Sequence, residues 1–198
     1  MNKEDIFLQF WGGIFYLIAK IFLSKAEGSP NTKLRTYGWT AYIAGVPAWI
    51  IILASTQNWI ALAIEAGGVP SMILGLMDRK PIWMQKIAKV FVFCLVTIGI
   101  SYSLYDFGGI TAFSQILELG VTVGFLIGAY LLAKKDSNGW IWFILMNISM
   151  GTLMAMQEKW IFALLQGISI YFATYGFIRS KKIISNQYEI YAKSLQNL

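Results

Sequence analysis

Residues 39–77 read WTAYIAGVPAWIIILASTQNWIALAIEAGGVPSMILGLM. Two apolar runs, Trp39–Ser55 and Trp59–Met77, flank the polar turn Ser55-Thr56-Gln57-Asn58. An α-helix needs roughly 20 apolar residues, within a range of about 17–25, to cross a bilayer core about 30 Å thick. Each run meets that length. A connection this short leaves the second helix no room except to return antiparallel beside the first. The stretch therefore reads as a transmembrane hairpin.

The same reading extends outward in both directions. Before the hairpin, an apolar run covers about Ile6 to Ser24. After it come Trp83–Tyr105, Thr111–Ala133, Trp140–Met156 and Trp160–Ile178. Lys86 and Lys89, near the start of the fourth run, can snorkel towards the interface. The turns Asp136-Ser137-Asn138-Gly139 and Gln157-Glu158-Lys159 separate the last three runs. Seven spans are predicted, followed by a polar, amphipathic tail over 180–198. The N-terminus lacks a basic leader region, since Lys3 is offset by Glu4 and Asp5, and no small-x-small cleavage site follows. It is read as a retained span.

Composition agrees. The 198 residues are 57% apolar and only 13% charged, with a mean hydropathy of +0.59. A soluble domain carries about 25% charge, so lipid is the natural solvent and no separate soluble domain fits. The 18 Gly residues suit close helix approach in a membrane. There are no His residues and a single Cys, Cys94. That removes the commonest acid/base group and metal ligand, so no metal, no cofactor and no enzyme activity are expected. No phosphate-binding Gly-rich loop and no Ser/His/Asp set is present.

The net charge of +6 would suggest nucleic acid in a soluble chain. Here topology explains it. Alternating the spans places 14 of the 16 Lys and Arg residues on one side, leaving only Lys3 and Lys159 on the other. Cytoplasmic loops carry the excess of basic residues. The N-terminus is therefore expected outside and the C-terminus in the cytoplasm of a bacterial inner membrane. The partners expected are the lipid bilayer and a small molecule, with no nucleic acid; self-association as a homo-oligomer stays open.

The chain also repeats itself at an offset of 101 residues. Gly38-Trp39 matches Gly139-Trp140, Trp59-Ile60 matches Trp160-Ile161, Gly75 matches Gly176 and Lys80 matches Lys181. Glu65 matches its amide counterpart Gln166. Segments two and three thus fall on six and seven, and one falls on five if the longer first loop is gapped. Repeat one covers about 6–78 and repeat two 111–179, with a linker helix over 83–105. Three helices per unit would invert the second copy, and the fourth helix restores its direction. The expected fold is therefore all-α, with seven transmembrane helices as two parallel three-helix repeats. Such repeats place a transporter's substrate site near the midplane between them. Interfacial enrichment of Trp and Gly is the bland alternative.

This 3+1+3 plan resembles the SWEET-like transporters. The stretch Lys134-Lys135-Asp136-Ser137-Asn138-Gly139-Trp140-Ile141-Trp142, with Asn147, resembles the bacterial PnuC-type vitamin transporters. So does the later set Trp160, Ala163-Leu164, Gln166, Gly176 and Arg179-Ser180-Lys181-Lys182. The resemblance is clearest from Leu117 to Lys182. It implies uptake of nicotinamide riboside, or of thiamine, riboflavin or deoxynucleosides, by facilitated diffusion with cytoplasmic phosphorylation as the trap. A sugar transporter on the same plan is the alternative, and a non-transport membrane protein acting on lipid or in assembly is the third.

Six residues are candidates for substrate binding. Glu65 is an ionisable group inside a span, which is costly unless paired or hydrated. Gln166 is its repeat mate, and either binds substrate or joins helices. Trp140 and Asn147 stand at i and i+7, a ring and an amide on one face, which suits a flat heterocycle. Trp49 sits deeper than the interfacial Trp39. Tyr171 pairs with Tyr175 at i and i+4, either packed or lining a pore. Glu118, Thr122 and Phe125 share one face of the fifth span and could line an outer vestibule, or Glu118 could lie at headgroup level. Pro47 and Pro70 are expected to interrupt the second and third spans.

Overall fold

The computed structural model describes residues 3–26, 32–77, 81–133 and 136–196, with the side chains of 32, 133 and 183–196 left aside. Arg79, Lys80, Lys134 and Lys135, counted above for charge, lie outside the described residues. All the regular structure among the described residues is helical. The elements are α1 (Lys3–Ala26), α2 (Thr32–Ser55), α3 (Trp59–Leu76), α4 (Ile82–Phe107), α5 (Phe113–Ala133), α6 (Gly139–Met156) and α7 (Trp160–Gln196). Among the described residues, seven helices are long and apolar enough to cross a membrane. The shortest, α3 and α6, have 18 residues each, or about 27 Å of rise at 1.5 Å per residue.

Helix ends follow local chemistry. After α2, Gln57 takes a positive φ of 56°, and Asn58 N–H returns to Leu53 O at 2.9 Å. After α6, Glu158 takes a φ of 60°, and Lys159 N–H returns to Met154 O at 2.8 Å. Both are Schellman-type ends, in which a left-handed residue folds the next N–H back onto the last turn. Glycine usually fills that position, and a non-Gly residue there is uncommon. Finding the same end built with Gln and with Glu is therefore specific.

Two boundaries and two expected interruptions differ from the sequence reading. α2 begins at Thr32 rather than Trp39. α7 runs unbroken to Gln196, so its tail is a continuation of the seventh helix. No Gly or Pro stands between Ile178 and Gln196 to stop it. Pro47 and Pro70 lie inside continuous helices.

Six helices close into a ring. α1 packs on α2 and α2 on α3, while α5 packs on α6 and α6 on α7. The ring is closed by α1 against α7 and α3 against α5. α4 packs on the outside of α3. Gly99 sets that contact, since a Cβ there would stand 2.8 Å from Trp59 O. Most of the α4 surface is exposed and apolar, with Phe93 72% exposed. A continuous apolar exterior of this kind needs lipid or a partner to cover it. The core lies at the seam between α1–α3 and α5–α7, where Trp49, Ile52, Leu53, Leu153, Met154 and Phe162 are buried together.

Candidate functional site

A small cavity sits at this seam. α1 contributes Tyr16 to its wall, α2 contributes Tyr42 and Trp49, and α3 contributes Ile64 and Glu65. From the other side come Val121 and Phe125 of α5, Met146 and Met150 of α6, and Gln166 of α7. All six ring helices take part, and α4 does not. The cavity measures about 20 Å³, room for little more than one water-sized sphere. A nucleoside is too large for it in this structure.

Three of the six candidate residues meet in this wall: Trp49, Glu65 and Gln166. The Trp49 indole stacks on the Phe162 ring at 3.7 Å and 8° between planes. Its Nε1, one carboxylate oxygen of Glu65 (Oε1) and the amide oxygen of Gln166 are buried without a hydrogen-bond partner. A buried polar atom left unpaired costs about 1–3 kcal/mol. Three wall residues therefore carry an unpaired polar atom each, one donor and two acceptors. Gln166 points inward because Phe162, Ser169, Ala173 and Gly176 share its face of α7, all of them buried.

The other three are placed elsewhere. Asn147 is fully buried but stands behind the wall. Its Nδ2 donates to Phe143 O at 2.6 Å, and its Oδ1 accepts from the Tyr16 hydroxyl at 3.1 Å. It positions Tyr16 and does not itself line the cavity. Trp140 is buried against Gly176, where a Cβ would come within 2.8 Å of the indole. It does not share a binding face with Asn147 in the wall. Tyr171 is corrected outright as a wall residue: it is 66% exposed on the outer surface of α7. Five residues from Gln166 is about 140° around a helix, so it faces away.

Several residues of the site were missed or misread. Tyr16 and Tyr42 carried no signal beyond being aromatic in apolar runs. Phe125 lines the cavity rather than an outer vestibule. Glu118 is not among the residues that line the cavity. It is fully buried, and its Oε2 accepts from Ile60 N–H at 2.8 Å and Ala61 N–H at 3.0 Å. These are orphan donors of the first turn of α3, so a carboxylate from α5 caps α3 and meets the positive end of its dipole. Lys20, one of the 14 basic residues counted above towards one side, is buried in the bundle with its ammonium over the Tyr16 and Phe143 rings.

The end of the bundle where α1 begins is tied across the seam. Asn58 and Gln157 exchange amide hydrogen bonds of 2.7 and 2.8 Å. Lys159 pairs with Asp5 at 2.7 Å. Among the described residues no group of three or more His, Cys, Asp or Glu could hold a metal. Comparison with protein-family models, curated proteins and solved structures finds no match to this chain.

Proposed function

We propose that the chain is a membrane transporter. It carries a small polar molecule with a flat ring, nicotinamide riboside or a related heterocycle or nucleoside, by facilitated diffusion with alternating access. The observation that carries this reading is the cavity on the seam. Every ring helix contributes to its wall, and Glu65 and Gln166, 101 residues apart, both belong to that wall and each carries a buried oxygen without a partner. Four aromatic rings, Tyr16, Tyr42, Trp49 and Phe125, offer faces for stacking.

Two parallel three-helix units joined by α4 are part of the proposal, and several structural matches support it. Gly75 lies against Trp39 as Gly176 lies against Trp140. The positive φ values fall at Gln57 and Glu158, again 101 apart. Gly12 of α1 meets Ala48, and Gly120 of α5 meets Ser149, the repeat mate of Ala48. The contact of α3 with α5 becomes that of α7 with α1 when the units are exchanged. With seven crossings and the basic loops inside, the proposal places the N-terminus outside and the C-terminus in the cytoplasm of a bacterial inner membrane. The work done is carriage, not catalysis. A sugar is the second reading, because the same four rings suit the C–H faces of a pyranose.

Uptake into liposomes tests this. Purified protein should equilibrate labelled nicotinamide riboside, thiamine, riboflavin or a nucleoside without ATP. Failure with all four and success with a sugar would move the assignment to the second reading. Failure with both sets would remove transport of these classes.

A further inference from the structure

Two side-chain contacts cross the interior of the ring beside the cavity. The Tyr16 hydroxyl of α1 donates to Asn147 Oδ1 of α6 at 3.1 Å. One turn further along α1, the Lys20 ammonium stands 4.9 Å from the Tyr16 ring centroid and 5.0 Å from that of Phe143, also on α6. α1 and α6 are not neighbours in the ring, because α7 stands between them. These side chains therefore meet across the inner face of α7. They stand between the cavity and the end of the bundle where α1 finishes. Tyr16, Lys20 and Asn147 are buried, and Phe143 is partly buried.

We infer that Tyr16, Lys20, Phe143 and Asn147 form the inner gate of the proposed transporter, a side-chain bolt that closes the cavity towards the cytoplasmic side and withdraws to release substrate. The inference rests on the transport reading above and names the residues that part on that side. The bolt comes from one half only. Gly12 and Gly120 make matching contacts. Their spacing sets Tyr16 against Gly124 and Lys20 against Gly128. α5 thus carries no side chain where α1 carries the bolt, so a single helix has to withdraw. The contacts are of a kind that opens. A neutral hydrogen bond and a cation–π pair each join side-chain ends and contribute modestly. The outer part of the seam is closed more tightly: a Cβ on Gly12 would stand 3.0 Å from the Phe162 ring, and Glu118 caps α3. Lysine also suits both states. Its four-carbon stem is flexible, and Lys20 lies about 9 Å of helix rise from the end of α1 at Ala26. Withdrawn, its head reaches water at that end, the usual placement for a lysine in a span. Engaged, it rests on two ring faces, one from each half of the bundle.

Access to the cavity from each side tests this without any substrate. Met150 is in the wall. Met150→Cys in a Cys94→Ser background is labelled with a small, uncharged, membrane-impermeant thiol reagent, in right-side-out and in inside-out membrane vesicles. With the bolt intact, labelling should be slow from both sides. Tyr16→Phe keeps the ring and removes the hydrogen bond; Lys20→Met removes the ammonium. Each should speed labelling from the cytoplasmic side by about fivefold and leave the outer side within about twofold. Lys20→Arg, which keeps a cation for the two rings, should label as slowly as the parent. Lys20→Gln replaces Lys20→Met if the latter does not fold. Unchanged labelling in both Tyr16→Phe and Lys20→Met, equal acceleration from the two sides, or acceleration from the outer side alone overturns the inference. Cytoplasmic acceleration without uptake of any labelled vitamin, nucleoside or sugar would uphold the gate and sink the proposed substrate classes instead.

Discussion

The two sides of the cavity are built differently. From α1–α3 come Tyr16, Tyr42, Trp49 and Glu65, with Lys20 behind Tyr16. From α5–α7 come Val121, Phe125, Met146 and Met150, with Gln166 as the one polar side chain. Repeat mates diverge here: Trp49 answers to Met150, Glu65 to Gln166, and Tyr42 to Phe143. Away from the cavity the mates agree, as in the two Trp–Gly contacts and the two turns. Scaffold positions constrain backbone approach and are held alike by packing. Wall positions are packed by side chains rather than by close backbone approach, and there the two halves carry different residues. The two halves match where helices touch and differ where they line the cavity.

Changes that spoil the frame should have the largest effect. Glu118→Ala leaves two buried N–H groups of α3 uncapped and removes two charge-assisted bonds, worth about 1.5–3 kcal/mol each. A loss of about 3 kcal/mol or more should appear in thermal melts in detergent, and Glu118→Gln should restore part of it. An unchanged Tm would show that the cap contributes nothing. Next come Gly75→Ala and Gly176→Ala. Each places a Cβ within 2.8 Å of an indole, and overpacking of this kind costs about 1–3 kcal/mol. Near-equal losses sharpen the likeness of the halves; a loss in only one breaks it.

The wall should show the difference instead. Glu65→Ala should weaken ligand binding by about 10- to 150-fold, as expected for a lost bond to a charged group. Gln166→Ala, a neutral group, should weaken it by roughly 2- to 10-fold. Equal effects in calorimetry would erase the asymmetry. The smallest effect belongs to Tyr171→Ala on the outer surface, where binding should change by less than about twofold.

The spans were legible because bilayer thickness sets a length that hydropathy reports directly. The Trp–Gly pairs were legible as matches at the offset of 101 because close packing of an indole on a backbone restricts residue type. Glu118 was not legible, since its partners lie 57 and 58 residues away and nothing local marks a cap supplied by another helix. Lys20 was counted towards topology because a charge count knows nothing of the rings around it. Tyr171 and Tyr175 were correctly placed on one face, but spacing alone does not say which face turns inward. The buried residues Ser169, Ala173 and Gly176 mark that face. Tyr16 and Asn147 meet across 131 residues, a contact beyond any local pattern.

In the proposed transport cycle, α1–α3 and α5–α7 part to pass substrate through the seam. The ties at the end where α1 begins, Asn58 to Gln157 and Asp5 to Lys159, would have to open in each cycle. Cysteines at Asn58 and Gln157, in a Cys94→Ser background, can be joined by a short thiol-specific cross-linker. Uptake of labelled nicotinamide riboside into liposomes should be normal before cross-linking and lost after it. Each single cysteine, treated alike, should transport undiminished. Full uptake by the cross-linked protein would contradict the account.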